Sequence, residues 1–209
     1  IILNKHMPDT MHGAHFLSLL TMKRLFAAIK IHPTETFMQH YYSLRKPLKD
    51  EKIKWVDPGN IHLTLKFFGE TPENKIPPIS AALKQAARES SAFGFDIKDT
   101  GIFGSSYQPR VIWLGISPRE DITTLADNIF SHLETAGFPR DRQNFVPHLT
   151  VARIKFLHDK KAFRQVIERH RQAYIQNEEV KEFHLFESVL RPQGPLYSIL
   201  ETYNLGEGR

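Results

Sequence analysis

The amino-acid sequence predicts an α+β protein of two similar halves that face each other across a central cleft. Strand-like and helix-like segments alternate along its 209 residues, yet many of the strands are joined by short turns. This order favours antiparallel or mixed sheets with helices outside over a doubly wound parallel sheet. A short phrase also occurs twice, IHLTL at 61–65 and PHLTV at 147–151. Two copies at comparable places predict a bilobal, pseudo-twofold fold and not a solenoid of many repeats.

The first half is expected to contain three strands and two helices. The apolar run at 23–31 is typical of a strand and stops at Pro33, after which Thr34 is expected to cap a helix. Pro77 and Pro78 are tolerated only near the start of the second helix. The predicted elements are a strand at 23–31, a helix at 34–44, strands at 53–56 and 61–69, and a helix at 73–90.

The second half repeats this alternation and ends in a hairpin. Ile122, Leu125 and Ile129 lie on one stripe of an amphipathic helix, and Gly137 is expected to end it. The hairpin turns at 192–195, where proline and glycine cluster. The predicted elements are strands at 93–103 and 110–116, a helix at 121–136, a strand at 145–156, a helix at 160–174, and strands at 180–190 and 196–203.

Composition limits the classes of protein that fit. The chain is 41% hydrophobic and 24% charged, which is typical of a globular domain, and it has no cysteine, so disulfides and thiolate sites are excluded. Its net charge of +5 would favour a polyanionic partner. No apolar run approaches the roughly 20 residues of a membrane-spanning helix. We expect a cytoplasmic monomer with a loosely ordered extension at 1–21 and one bilobal catalytic domain at 22–209.

The repeated phrase puts an imidazole and a hydroxyl side by side. In a strand, successive side chains point to opposite faces, so His62 shares a face with Thr64, and His148 shares one with Thr150. Histidine exchanges protons near neutral pH, so two facing rings can act as general base and general acid. Threonine hydroxyls on the same face can donate hydrogen bonds to phosphate oxygens. This division of labour suits phosphodiester chemistry without a metal ion.

The two motifs and their flanks resemble the paired signatures of the two-histidine (2H) phosphoesterase superfamily. The resemblance rests on IHLTLKFFGE at 61–70 and PHLTVAR at 147–153, with similar stretches at 24–29 and 110–115, and it extends over about residues 22–205. Within the superfamily the chain is similar to the LigT-type RNA 2′,3′-cyclic phosphodiesterases, historically called 2′-5′ RNA ligases. The resemblance implies the LigT-like bilobal fold and hydrolysis of a terminal 2′,3′-cyclic phosphate on RNA to a 2′-phosphate.

The resemblance also implies a role for each residue of the site. His148 would activate water as the base and His62 would protonate the leaving 3′ oxygen as the acid, although these roles are exchangeable. Thr64 and Thr150 would bind the phosphate, and Arg153 would add positive charge. Strict alternation from His148 puts residue 152 on the histidine face, so Arg153 reaches the phosphate only if the strand bulges or ends there. Strict alternation also puts Lys66 on the same face of the strand as His62 and Thr64.

Other functions use the same residues. The site could join 2′-5′ linkages or hydrolyse a small cyclic nucleotide, and a non-catalytic RNA-binding module would retain the cleft without turnover. A metallohydrolase ranks last because neither motif has a carboxylate at ligand spacing. We therefore expect no cofactor and no metal, with RNA ends or nucleoside 2′,3′-cyclic phosphates as partners. Phe103, Tyr107 and Trp113 are candidates to stack on a base.

Overall fold

The structure is a computed structural model that describes residues 21–140 and 144–206. Its strands form one nine-stranded sheet in which every strand pairing is antiparallel. The fold is therefore α+β, as predicted, with a purely antiparallel sheet where mixed sheets were also allowed. The strands are β1 Met22–Lys30, β2 Lys52–Trp55, β3 His62–Pro72, β4 Phe93–Gly104, β5 Pro109–Ser117, β6 Leu149–Phe156, β7 Tyr174–Val180, β8 Glu182–Arg191 and β9 Gly194–Asn204.

The main path of the sheet consists of two groups of four strands, β4 to β7 on one side and β1, β3, β8 and β9 on the other, so the C-terminal hairpin pairs with a strand of the first half. Along the sheet the order is β7-β4-β5-β6-β3-β1-β8-β9, with β2 paired to β6. The two motif strands, β3 and β6, are neighbours, and they pair at Leu63 and Leu149. The repeated phrases therefore meet at the centre of the sheet, where these two groups of strands join.

Helices cover one face of the sheet and bury its apolar side chains. They are α1 Glu35–Arg45, α2 Ile76–Arg88, α3 Glu120–Thr135 and α4 Lys160–Arg169. The Thr34 hydroxyl accepts a hydrogen bond from Phe37 N (3.3 Å), which confirms the predicted cap of α1. Gly137, with a φ of 85°, follows the end of α3, also as predicted. The opposite face of the sheet is left to line the cleft.

Two of the helices contact strands from the other half of the sequence. α1 follows β1 of the first half, yet His40 of α1 contacts Thr100 of β4 in the second half. α3 lies between two second-half strands, yet Lys66 of β3 lies over the ring of its Phe130. One hydrophobic cluster accordingly extends through both halves. Each half contributes to the core that covers the other.

Three predicted elements differ from the structure. The helix predicted at 160–174 ends at Arg169, and Tyr174–Val180 forms the edge strand β7, which was not predicted. Its Gln176 is buried and accepts hydrogen bonds from Thr34, so a polar residue there anchors α1. The strand predicted at 145–156 begins only at Leu149. Residues 1–20 of the predicted extension lie outside the described residues.

Within the described part of the chain, no helix combines the length and apolar character needed to cross a bilayer.

Candidate active site

The two histidine-threonine pairs lie opposite each other across β3 and β6. Leu63 and Leu149 are paired and fully buried on the helix side. Antiparallel register, continued by one residue, sets His62 across from Thr150 and His148 across from Thr64. These four side chains are half-buried on the cleft face. The structure therefore brings the two motifs together on the cleft face, around the Leu63–Leu149 pair.

Both imidazole rings are held in the same way. His62 Nδ1 lies 2.7 Å from the carbonyl oxygen of Asn60, and His148 Nδ1 lies 2.7 Å from that of Val146. A carbonyl oxygen only accepts hydrogen bonds, so each Nδ1 carries the proton and donates it. In the neutral ring Nε2 is then left unprotonated. Each histidine can therefore use Nε2 as a base, or as an acid once that nitrogen is protonated.

A β-bulge follows the threonine in each motif strand. In β3, Thr64 pairs with Ala28 and Lys66 with Ala27, so Leu65 is the extra residue. In β6, Thr150 pairs with Trp113 and Ala152 with Ile112, so Val151 is extra. A bulge shifts the alternation of side chains by one residue. The residue three positions after each threonine therefore returns to the cleft face.

The bulge in β6 accounts for the position of Arg153. Strict alternation predicted that Ala152 would face the cleft, but Ala152 is fully buried on the helix side and Arg153 is exposed. The guanidinium is close enough to lower the pKa of both His62 and His148. Arg153 therefore lies near both rings. The strand has the bulge that this position of Arg153 requires.

The bulge in β3 moves Lys66 out of the cleft. Its predicted parity with His62 is wrong, because Lys66 is only 7% exposed and lies on the helix side. Its Nζ donates to the carbonyl oxygen of Pro139 (3.5 Å) and lies 5.8 Å from the centre of the Phe130 ring. Phe67 takes the position in β3 that Arg153 takes in β6.

Two aromatic side chains contact the ring of His62 and a third packs against both of them, and sequence analysis did not identify them. The ring of Phe26 is 4.9 Å from that of His62, and the ring of Tyr197 is 5.3 Å away and nearly perpendicular. Phe186 stacks on Phe26 at 5.0 Å. A pocket of about 220 Å³ opens beside His62 and is lined in part by Phe186 and Tyr197. These residues come from β1, β8 and β9, so only the folded sheet unites them.

Two of the aromatic residues singled out in the sequence lie near His148. The ring of Phe103 contacts the His148 ring edge to face at 4.7 Å, and it lies 5.5 Å from the ring of Trp113. Trp113 pairs with Thr150 across β5 and β6. Tyr107 is 81% exposed in the loop after β4.

The environment lowers the pKa of both histidines. For His62, burial has the largest effect, and the charges of Arg153 and His148 lower the pKa further, while the hydrogen bond to Asn60 raises it. For His148, burial again dominates, Arg153 adds to it, and the hydrogen bond to Val146 opposes it. Both rings are therefore biased towards the neutral form, in which Nε2 accepts a proton.

The site is made of nitrogen and hydroxyl groups and one guanidinium. No group of three His, Asp or Glu side chains among residues 21–140 and 144–206 is arranged to hold a metal ion. Independence from metal ions thus remains a prediction for experiment. Two Nε2 atoms on one cleft can transfer protons on either side of a bound phosphate. The two hydroxyls and the guanidinium can bind its oxygens.

Comparison with known proteins supports the twofold organisation. The model of the family described as "LigT like Phosphoesterase" matches the chain twice, over residues 31–113 and 114–197. Each match contains one histidine-threonine motif, and the boundary between the matches falls within β5. The family model therefore matches the chain once around each motif.

Relatives and solved structures agree with this match. The chain is 31% identical to an RNA 2′,3′-cyclic phosphodiesterase of Methanothermobacter thermautotrophicus, over 87% of this chain and 98% of that protein. An Aquifex aeolicus protein of the same name is 32% identical, over 73% of this chain and 82% of its own length. The structure of the Thermus thermophilus protein TT0787 superposes with a TM-score of 0.72 at 27% identity, covering 89% of this chain and all of that one.

A second solved structure shows the same fold at lower identity. Escherichia coli LigT, solved in complex with 3′-AMP, superposes with a TM-score of 0.68 at 24% identity, over 88% of this chain and 99% of that one. With the family model matched over both halves, this chain belongs to the family of LigT-like phosphoesterases.

Proposed function

We propose that the chain hydrolyses the terminal 2′,3′-cyclic phosphate of RNA to a 2′-phosphate, without a metal ion. The observation that carries the proposal is the matched pair of imidazoles, each with Nδ1 bound to a carbonyl oxygen and Nε2 left for proton transfer. The name that several relatives bear, RNA 2′,3′-cyclic phosphodiesterase, supports the choice of substrate.

In the proposed reaction, the two histidines act on opposite sides of the phosphorus atom. His148 Nε2 removes a proton from water as the water oxygen attacks phosphorus. The bond between phosphorus and the 3′ oxygen breaks, and His62, protonated at Nε2, gives its proton to that oxygen. The products are a 2′-phosphate and a free 3′ hydroxyl. The hydroxyls of Thr64 and Thr150 and the guanidinium of Arg153 stabilise the charge that develops on the non-bridging oxygens.

The negative charge of the substrate is what allows one ring to become the acid. Burial and the Arg153 charge favour neutral rings in the free enzyme. A bound phosphodiester brings a negative charge, which raises the pKa of a nearby imidazole. Substrate binding therefore favours protonation of one of the two rings, and the proposed reaction assigns that proton to His62. We expect the rate to rise and then fall with pH.

The test is turnover of an RNA oligonucleotide that ends in a 2′,3′-cyclic phosphate, in the presence of EDTA. We expect a 2′-phosphate product, and losses of at least about 10²-fold in kcat for His62→Ala and for His148→Ala. His32→Ala, which removes an exposed histidine outside the cleft, serves as the matched control and should retain full activity.

Each alternative has its own signature in this experiment. Full activity of either motif variant would overturn the acid-base assignment, and loss of activity in EDTA would point to a metal-dependent reaction. Tight binding of the oligonucleotide without any turnover would identify an RNA-binding module. A 2′-5′ joined product in place of hydrolysis would identify ligation as the favoured direction.

A further inference from the structure

A second concave region lies between α4 and the end of β4. It is a groove of about 950 Å³, at the upper end of the range for ligand sites. Its floor includes Gly101 and Ile102 of β4, and its wall includes Arg164 and Glu168 of α4. None of these residues belongs to the motifs, so the groove is additional to the proposed catalytic centre.

The groove exists because the edge strand stops short. β7 pairs with β4 only as far as Lys98, which lies opposite Tyr174. The next two amides of β4, those of Asp99 and Thr100, donate to the carbonyl oxygens of Ala173 and Arg171. From Gly101 onward, this edge of β4 faces the groove instead of another strand.

An aromatic side chain forms part of the groove and links it to the catalytic centre. The indole of Trp113 lies directly over Gly101, where a Cβ atom would overlap its ring. Trp113 also lines the groove, while its strand partner is Thr150. The rings of Trp113 and Phe103 are 5.5 Å apart, and those of Phe103 and His148 are 4.7 Å apart. A continuous aromatic path therefore leads from His148 to the groove.

The wall of the groove carries more positive than negative charge. Lys161, Arg164 and Arg171 line it together with Asp99 and Glu168. Glu168 and Arg171 form an ion pair at 3.4 Å, but both side chains are more than two-thirds exposed, so the pair is weak and exchanges readily with other ions. Arg164 extends from an exposed helix position with its Nε donating to the carbonyl oxygen of Lys160 (3.3 Å).

We infer that this groove binds the nucleotides that precede the cyclic phosphate, so that the enzyme selects RNA chains over mononucleotides. The inference rests on the proposed function and specifies its substrate. Single-stranded RNA is held by positive charge along its backbone and by aromatic rings under its bases, and the groove offers both. Arg164 and Arg171 contact phosphates, and Trp113 stacks with a base. A nucleoside cyclic phosphate lacks the preceding phosphates that Arg164 and Arg171 contact.

The experiment compares two substrates and two double variants. The substrates are a nucleoside 2′,3′-cyclic phosphate and a short single-stranded RNA with the same terminal group. The test variant is Arg164→Glu with Arg171→Glu. The control is Lys84→Glu with Arg88→Glu, which makes the same change of charge on the exposed face of α2, the helix that follows the first motif strand. Activity is measured as kcat/KM over a range of salt concentrations.

We expect the test variant to lose about tenfold or more in kcat/KM on RNA and to retain its activity on the mononucleotide. For the test variant on RNA, the slope of log kcat/KM plotted against log salt concentration should become shallower by about 0.7 for each phosphate contact removed. The control variant should behave as wild type on both substrates. Equal losses on the two substrates, or an unchanged rate on RNA, would overturn the inference.

Binding without turnover separates the groove from the chemistry. Fluorescence anisotropy with a labelled single-stranded RNA that ends in a 2′-phosphate reports on the groove even if the enzyme hydrolyses neither substrate. We expect weaker binding by the test variant and unchanged binding by the control. Failure of the proposed function would abolish wild-type turnover of both substrates, whereas failure of the groove would leave the binding of the two variants equal.

Discussion

The two motif strands share the histidine, the threonine and the bulge, but they differ in the residue that faces the cleft after the bulge. β3 and β6 each present a histidine and a threonine to the cleft, and each has a bulge directly after the threonine. Each histidine donates Nδ1–H to the carbonyl oxygen two residues earlier. The bulge then turns Phe67 to the cleft in one strand and Arg153 in the other.

In the proposed reaction, this difference separates proton transfer from charge stabilisation. Proton transfer needs two similar groups, so the imidazoles and their supports are duplicated. Charge stabilisation needs a cation near the phosphate, and only β6 supplies one at the position after its bulge. In the first half, Phe67 instead lies under Arg24, whose guanidinium is 4.8 Å from the ring centre. The pseudo-twofold arrangement therefore relates the two histidine-threonine pairs but gives Arg153 no counterpart of like charge in β3.

The largest expected difference between the two motif strands lies at Arg153 of β6 and Phe67 of β3. We expect Arg153→Ala to lower kcat/KM by about 10²-fold, as removal of a single donor to a developing oxyanion does. Phe67→Ala, the same truncation at the related position, should change kcat/KM by only a few fold. Steady-state kinetics on a cyclic phosphate substrate measure both. Similar losses in the two variants would show that Arg153 has no special role.

The matched positions should respond equally. Thr64→Val and Thr150→Val keep the shape of the side chain and remove its hydroxyl, and we expect each to lower kcat/KM by about tenfold, the worth of a hydrogen bond to a charged group. Thr64→Ser and Thr150→Ser retain the hydroxyl and should retain most of the activity. A large loss in one valine variant and none in the other would mean that a single threonine contacts the phosphate.

Sequence patterns predicted the fold class well because apolar periodicity is local. The motif strands, α1 with its Thr34 cap and the end of α3 at Gly137 follow from short-range signals. The edge strand β7 was missed because half of it is polar, with Gln176 buried to bind the loop before α1. The start of β6 was placed too early, since the carbonyl oxygen of Val146 binds the His148 ring.

The candidate site was only partly predictable for a related reason. Alternation along a strand identified the histidine-threonine pairs, but a bulge depends on the neighbouring strand and leaves no mark in one sequence. The positions of Lys66 and Arg153 therefore came from the structure. The rings around His62 come from β1, β8 and β9, so no local pattern unites Phe186 and Tyr197 with the first motif.

A smaller effect, a change in the pKa of the histidines, tests whether Arg153 acts on both His62 and His148. Its charge lowers the pKa of His62 and of His148, so Arg153→Gln should raise the pKa of both. Both limbs of the plot of kcat/KM against pH should then move to higher pH. Titration of the two imidazoles by NMR gives the same information without turnover. A shift in His148 alone would place the guanidinium on the β6 side only.

The smallest expected effect on activity comes from a histidine outside the cleft, and it concerns stability. Burial, with a contribution from His170, lowers the pKa of His40 from 6.5 to about 4. Between those values the unfolded chain binds a proton that the folded protein does not, so the free energy of unfolding falls as pH falls from about 6.5 to 4. The loss is on the order of 1 to 3 kcal/mol.

His40→Gln should flatten this dependence of the free energy of unfolding on pH, measured by urea denaturation at several pH values, and leave kcat unchanged. Parallel curves for wild type and variant would contradict this assignment, because the other histidines with lowered pKa values, in the cleft and on β8, are present in both proteins.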